Sequence, residues 1–86
     1  MEEDMIVTAL PTYPHKKIKQ DLGFIVAYDD SIMLSKIYEQ SIKETKKELI
    51  KKAKKLGANA ILGLNVVPLD SSRATMSGEA VFLEDE

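Results

Sequence analysis

The sequence predicts an α+β domain in the order β-β-α-β-β, with one long helix packed on a small, mostly antiparallel sheet. Two observations support this. A lysine-rich segment with helical periodicity ends at Leu56-Gly57, and an apolar segment typical of a strand follows at once. Short apolar segments bounded by turn residues also lie before and after that helix. With 86 residues, the chain is expected to form one domain over residues 1–86.

Four strands are predicted from residue type and turn signals. Residues 5–10 form a short apolar run closed by proline, and a polar connection over 16–20 precedes an aromatic and β-branched strand over 22–28. After the helix, residues 60–67 and 74–83 predict two further strands joined by a turn.

The helix is predicted over residues 31–56. Asp29, Asp30 and Ser31 are short polar residues suited to capping its start, and Gly57 suits its exit. Its apolar stripe recurs at steps of three and four residues. The stripe comprises Leu34, Tyr38, Ser41, Ile42, Thr45, Leu49, Ala53 and Leu56.

Charge is distributed unevenly along the chain. Residues 43–55 hold seven lysines against two glutamates, a net charge of +5, so the rest carries −7 within a total of −2. Glu39 and Glu48 each precede a lysine by four positions, as on an ordinary solvated helix face, and nucleic acid is not an expected partner. No apolar run reaches membrane-spanning length and there is no cysteine, so we expect a cytoplasmic protein with no membrane contact.

Strand parity predicts self-association, because one helix covers only one side of a small sheet. We expect two sets of residues to lie under the helix. They are Leu22, Phe24, Val26 and Tyr28 of the second strand and Ala60, Leu62, Leu64 and Val66 of the third. Apolar residues of the opposite parity would remain open. They are Ile25, Ala27, Ile61, Val67, Val81 and Leu83. A thin core in so short a chain then favours a homo-oligomer that covers them.

Several segments together resemble the YbjQ family, which is named for heavy-metal binding. They are Met5-Ile6-Val7-Thr8-Ala9-Leu10-Pro11-Thr12, Leu22-Gly23, Ser35-x-x-Tyr38-Glu39, Leu56-Gly57-Ala58-Asn59-Ala60-Ile61-Leu62-Gly63-Leu64 and Gly78-x-Ala80-Val81. The resemblance implies a dodecin-like subunit that assembles into a ring, most often a pentamer, of uncharacterised function. Members usually have a longer connection before the helix and an arginine where this chain has Leu34. Functions that depend on either feature are not expected here.

Neither metal chemistry nor catalysis is indicated by the residue set. Soft metals prefer thiolate and imidazole ligands, but the chain has no cysteine and His15 is its only histidine, so His15 is a weak metal candidate that needs symmetry copies. A nucleophile would need a base held by a third group, and no such pattern is present. The prediction is a protein that is not an enzyme, with no evident cofactor.

The favoured interpretation is a small homo-oligomeric module that binds a ligand, unknown in kind, in a crevice between subunits. Tyr28, Tyr38 and Phe82 are the large side chains that would line such a crevice, although Tyr38 and Phe82 also suit the core. Dodecins hold flavin by stacking on tryptophan, which this chain lacks, so flavin is a weak alternative. The other hypothesis is a structural ring that contacts an acidic partner through its lysine-rich helix.

Overall fold

The computed structural model describes residues 5–29, 38–68 and 73–86 of the chain. It confirms the predicted fold class, with one helix packed on a four-stranded sheet. The elements are β1 Ile6–Val7, β2 Lys16–Tyr28, α1 Tyr38–Lys55, β3 Ala60–Pro68 and β4 Ala74–Asp85.

The sheet has the strand order β1-β3-β4-β2, so β4 is central and β2 lies at an edge. β4 pairs antiparallel with both β2 and β3, whereas β1 pairs parallel with β3. Gly63, with a φ of 65°, lies where the pairing of β3 with β4 shifts by one residue. Glycine adopts a positive φ at little conformational cost, so Gly63 permits a bulge that changes the side of the sheet to which the following residues of β3 point.

The polar segment 16–20 is part of β2, so the predicted connection there is wrong. Lys16 lies opposite Asp85 in the register, and Lys17 lies opposite Glu84. Both pairs form ion pairs, at 2.6 and 3.5 Å between nitrogen and oxygen. Opposite charges facing each other across two strands stabilise their pairing without apolar residues, which is why a hydrophobicity pattern misses this part of the strand.

Helix α1 ends at Lys55, next to the predicted end, and Gly57 adopts a φ of 87° in the exit turn. Its buried residues are Ser41, Thr45, Leu49, Ile50 and Ala53. Two details of the predicted stripe are wrong, because Ile50 is buried and Leu56, past the last helical residue, is 46% exposed. The predicted start over 31–37, with Leu34 and the Asp30 and Ser31 caps, lies outside the described residues, as do residues 69–72 of the predicted last turn.

The predicted facing of β2 and β3 is wrong in part. Leu22 and Leu64 pack against the cluster under the helix as predicted, and Val66 is paired with Met76 of that cluster. Ile25 and Ala27 of β2 and Ile61 of β3, predicted for the far side, instead pack in one cluster with Leu49. The residues predicted under the helix that face away from α1 are Phe24, Val26, Tyr28, Ala60 and Leu62. Both parities of this part of β2 are apolar, so alternation could not select the side that meets the helix. Ala27 is 2% exposed in the cluster under the helix, where its small side chain leaves room for helix and sheet to approach closely.

A second apolar cluster lies on the opposite side of the same sheet. It comprises Ala60, Leu62, Val81 and Leu83, with Ile6 packed against it. β4 alternates without interruption, so its even-numbered residues from Ala74 to Ala80 are buried on the helix side, whereas Val81 and Leu83 are buried on the far side. Val81 and Leu83 therefore lie on the side predicted for them, but they are already buried within the subunit.

Candidate functional site

The three aromatic residues predicted to line a crevice lie apart within one subunit. Tyr28 is paired with Thr75 at one end of β2, and Phe82 is paired with Gln20. Seven positions of β4 separate those two pairs, about 23 Å at the usual rise per residue. Strand alternation also puts Tyr28 and Phe82 on opposite sides of the sheet, and Tyr38 is the first described residue of α1.

His15, the weak metal candidate, lies in the exposed turn before β2. It has a φ of 63°, and its carbonyl oxygen accepts a hydrogen bond of 3.3 Å from the Glu86 N–H group. Within ranges 5–29, 38–68 and 73–86, the structure contains no group of three or more His, Cys, Asp or Glu residues placed to hold a metal ion. The geometry thus gives His15 a position in a turn, outside any such group of metal-binding residues in the described part of its own subunit.

The most distinctive surface is an apolar patch on the side of the sheet opposite α1. We call it the far-face patch, and it consists of Phe24, Val26 and Tyr28 of β2 with Val67 of β3. Phe24 and Tyr28 are 65% and 58% exposed. The register brings these residues into neighbouring rows, since Tyr28 and Val67 flank the same β4 residue, Thr75.

Two carboxyl groups lie at one end of the far-face patch. Glu79 pairs with Phe24 in the register, and Asp21 belongs to the next row, opposite Val81. A hydrogen bond between the two side chains raises the pKa of Glu79, with smaller contributions from partial burial and from the charge of Asp21. Asp21 Oδ1 also accepts a 3.0 Å hydrogen bond from the Gly23 N–H group, which holds its carboxylate in place.

The outer edge of β2 is bounded by a lysine from the helix. Lys52 Nζ donates a hydrogen bond of 2.6 Å to the Val26 carbonyl oxygen, which points away from β4. A charged side chain at an open edge discourages further strand pairing. Beside it, Ala27, Tyr28, Glu48 and Lys52 line an open pocket of about 250 Å³. Residues 22–28 of β2 themselves carry no charged side chain.

A buried polar network joins the end of β2 to α1 and β4. Ser41 Oγ donates a 2.6 Å hydrogen bond to Asp29 Oδ2 and accepts one of 2.9 Å from the Ala74 N–H group. Asp29, predicted as a helix cap, contacts the side of α1 through Ser41 and is 7% exposed. The helix start that it was predicted to cap lies outside the described residues. One turn along α1 from Ser41, Thr45 Oγ1 is buried and has no hydrogen-bond partner. The sequence indicates this network only through two hydroxyl residues, Ser41 and Thr45, that lie four positions apart on an otherwise apolar stripe of the helix.

The lysine-rich surface of α1 faces solvent. Lys43, Lys46, Lys47, Lys51, Lys54 and Lys55 are exposed. Lys51 forms an ion pair of 3.3 Å with Glu48 on the same helix. A single solvated pair contributes little to stability, so most of this positive charge is directed outward.

Asn59 connects the helix exit to β4. Its side-chain amide donates to the Leu83 carbonyl oxygen at 2.9 Å, and its side-chain oxygen accepts from the Leu83 N–H group at 2.8 Å. This two-way contact secures the second apolar cluster rather than a ligand. The part of the chain that the structure describes has no helix able to cross a membrane.

Comparison with known proteins supports the fold alone. No family model matches the chain, and no curated protein matches it. A similar fold occurs in the crystal structure of a protein of unknown function from Pediococcus pentosaceus ATCC 25745, which belongs to the DUF74 family. The TM-score is 0.60 at 20% sequence identity, over 95% of this chain and 98% of that one. DUF74 is another name for the YbjQ-like family, so the resemblance seen in the sequence and the structural neighbour agree.

Proposed function

We propose that this protein is a non-catalytic, cytoplasmic module of the YbjQ type whose identical subunits associate through the far-face patch. A ring of five is the assembly that the family resemblance implies. In this proposal a ligand binds between subunits, since Tyr28 and Phe82 are too far apart to form one site within a subunit.

The exposure of the far-face patch is the observation that supports association. Each aromatic side chain has on the order of 150 to 250 Å² to bury, and more than half of Phe24 and of Tyr28 is exposed. Together with the two valines, this area is comparable to the largest functional patches on monomers, roughly 300 to 600 Å². A stable interface needs about 800 Å² per partner, for which the patch would supply the apolar centre.

A second copy of the chain is the partner that fits this surface. Residues 22–28 carry no charged side chain, so the face that they present does not repel an identical face through like charges. Thr75 and Ser77 of β4 lie between the apolar rows and supply small polar groups of the kind found around interface centres. Two acidic residues, Asp21 and Glu79, lie at one end of the patch.

Sedimentation velocity of the wild type and of Phe24→Ser tests the association. We expect the variant to weaken it by roughly thirtyfold or more, as for a central aromatic residue. Leu56→Ser is the matched control, because Leu56 is also exposed but follows the helix, and it should behave as the wild type. A wild type that stays monomeric at micromolar concentration would contradict the proposal. Native mass spectrometry then gives the subunit number and any retained ligand.

The alternative function is a scaffold that contacts an acidic partner through the lysine-rich surface of α1. The outward positive charge there favours it. Retention on an anionic matrix should fall with salt and be lost when Lys47, Lys51 and Lys54 are changed to Glu. Unchanged retention of that variant would exclude this function and leave the far-face association intact.

A further inference from the structure

We propose that association through the far-face patch takes up a proton shared by Asp21 and Glu79, so that the assembly tightens as the pH falls. This regulation rests on the proposed function, because it requires copies of the chain to cover that face. The argument depends on where the two carboxyl groups lie and on what surrounds them.

The pair lies among apolar residues on the surface that association would cover. Glu79 is half-buried between Phe24 on β2 and Leu62 on β3, its two register partners. Asp21 is one row further along, next to buried Val81. A second copy seated on Phe24 would therefore remove water from both carboxyl groups together.

No positive charge on this side of the sheet contacts the pair among the residues described. On β2, the nearest lysine on the same side of the sheet as Asp21 is Lys16. It lies two rows beyond Asp21 and forms an ion pair with Asp85. Lys17 and Lys19 contact Glu84 instead. Apart from Asp85, the residues of β4, β3 and β1 that share this side of the sheet with the pair carry no charge. They are Thr75, Ser77, Val81 and Leu83 of β4, Ala60, Leu62, Asn65 and Val67 of β3, and Ile6 of β1. α1 packs on the other side.

Covering two adjacent carboxylates without a counter-ion is costly, because both lose hydration while their repulsion grows in a less polar surrounding. A single proton relieves this cost. It removes one charge and leaves an O–H group on one carboxyl that donates a charge-assisted hydrogen bond to the other. The Gly23 N–H group donates a hydrogen bond to Asp21 Oδ1 and so holds the Asp21 carboxyl group in place beside Glu79.

The direction of the pH effect follows from proton linkage. In the free subunit the hydrogen bond with Asp21, partial burial and the charge of Asp21 already raise the pKa of Glu79. Removal of water in the assembly raises it further, so the assembly holds more protons than the free subunits. Association then strengthens as the pH falls from the pKa of Glu79 in the assembly to its lower pKa in the free subunit. The association constant rises by up to about tenfold per pH unit for each proton taken up.

Sedimentation velocity of the full chain from pH 8 to pH 5, at constant ionic strength, tests this inference. Glu79→Gln mimics the protonated pair, since an amide also donates to Asp21. We expect Glu79→Gln to associate at pH 8 as tightly as the wild type does in acid, with little pH dependence. Glu48→Gln is the matched control, because it removes the same charge from solvated α1 and shifts the sequence isoelectric point of about 5.4 equally. It should retain the wild-type pH dependence.

Failure of the regulation and failure of the association are distinguishable. If Phe24→Ser abolishes association but Glu79→Gln and Glu48→Gln show the same pH dependence, the shared proton is excluded and the far-face association is retained. If the wild type is monomeric at every pH, both proposals are wrong. Circular dichroism at each pH confirms that the variants compared are folded.

Discussion

The two sides of the sheet receive different residues from the same strand. On the side covered by α1, β2 contributes Ile25 and Ala27, which are 8% and 2% exposed, whereas it directs Phe24 and Tyr28 to the open side. The aromatic residues, which gain most from burial, are thus the ones that the subunit leaves in water. The residues of β2 that lie under α1 are thus buried within one copy of the chain, whereas the open side has the composition of an interface.

The largest expected effect comes from the covered side. Leu49 is fully buried, so Leu49→Ala removes apolar contacts and leaves a cavity. We expect the free energy of unfolding to fall by about 3 kcal/mol. Urea denaturation followed by circular dichroism measures it, at one protein concentration because association adds stability. Leu56→Ala is the control and should cost under about 1 kcal/mol. Equal losses in the two variants would contradict the placement of the core.

The next prediction compares the removal of two buried hydroxyl groups on the face of α1 that packs on the sheet. Ser41→Ala leaves the Asp29 carboxyl without this donor and the Ala74 N–H group without an acceptor, and should cost about 2 kcal/mol. Thr45→Val removes a hydroxyl that has no partner and preserves shape, so it should be neutral or stabilise by up to about 1 kcal/mol. Chemical denaturation of both variants tests this contrast. A large loss for Thr45→Val would show that its hydroxyl is hydrogen-bonded.

The sequence predicted the order of elements well, because Gly57 marks the helix exit and the strands differ sharply from the lysine-rich helix. It could not predict which side of β2 meets α1, since both parities of residues 22–28 are apolar. It also missed the polar half of β2, where Lys16 and Lys17 pair with acidic residues more than sixty positions away. The Asp21–Glu79 pair depends on strand register and a bulge, neither of which local patterns determine.

A substitution on the open side should weaken association while leaving the stability of the free subunit almost unchanged, unlike a substitution in the core. Phe24→Ser exposes no buried partner, so in dilute solution we expect a change of less than about 0.5 kcal/mol in the free energy of unfolding. At high concentration the wild type should gain stability that the variant lacks, since association stabilises only the folded chain. Denaturation midpoints at two concentrations, a hundredfold apart, measure the difference. A midpoint of the wild type that is independent of concentration would argue against association.

The smallest effect compares two carboxyl groups on the open side. A hydrogen bond from Lys16, supported by its charge, lowers the pKa of Asp85, whereas the pKa of Glu79 is raised. The Asp85 contribution to stability is present above its usual value of 3.8 and is lost as the pH falls through the lower folded value. That of Glu79 has the opposite sign, since it is present in acid and is lost as the pH rises through its raised folded value. NMR titration of the side-chain carboxyl carbons should show both directions, and Lys16→Met should return Asp85 toward its usual pKa while leaving Glu79 unchanged. A shift of both groups in that variant would mean that Lys16 also acts on the Asp21–Glu79 pair, which its ion pair with Asp85 and its position two rows away argue against.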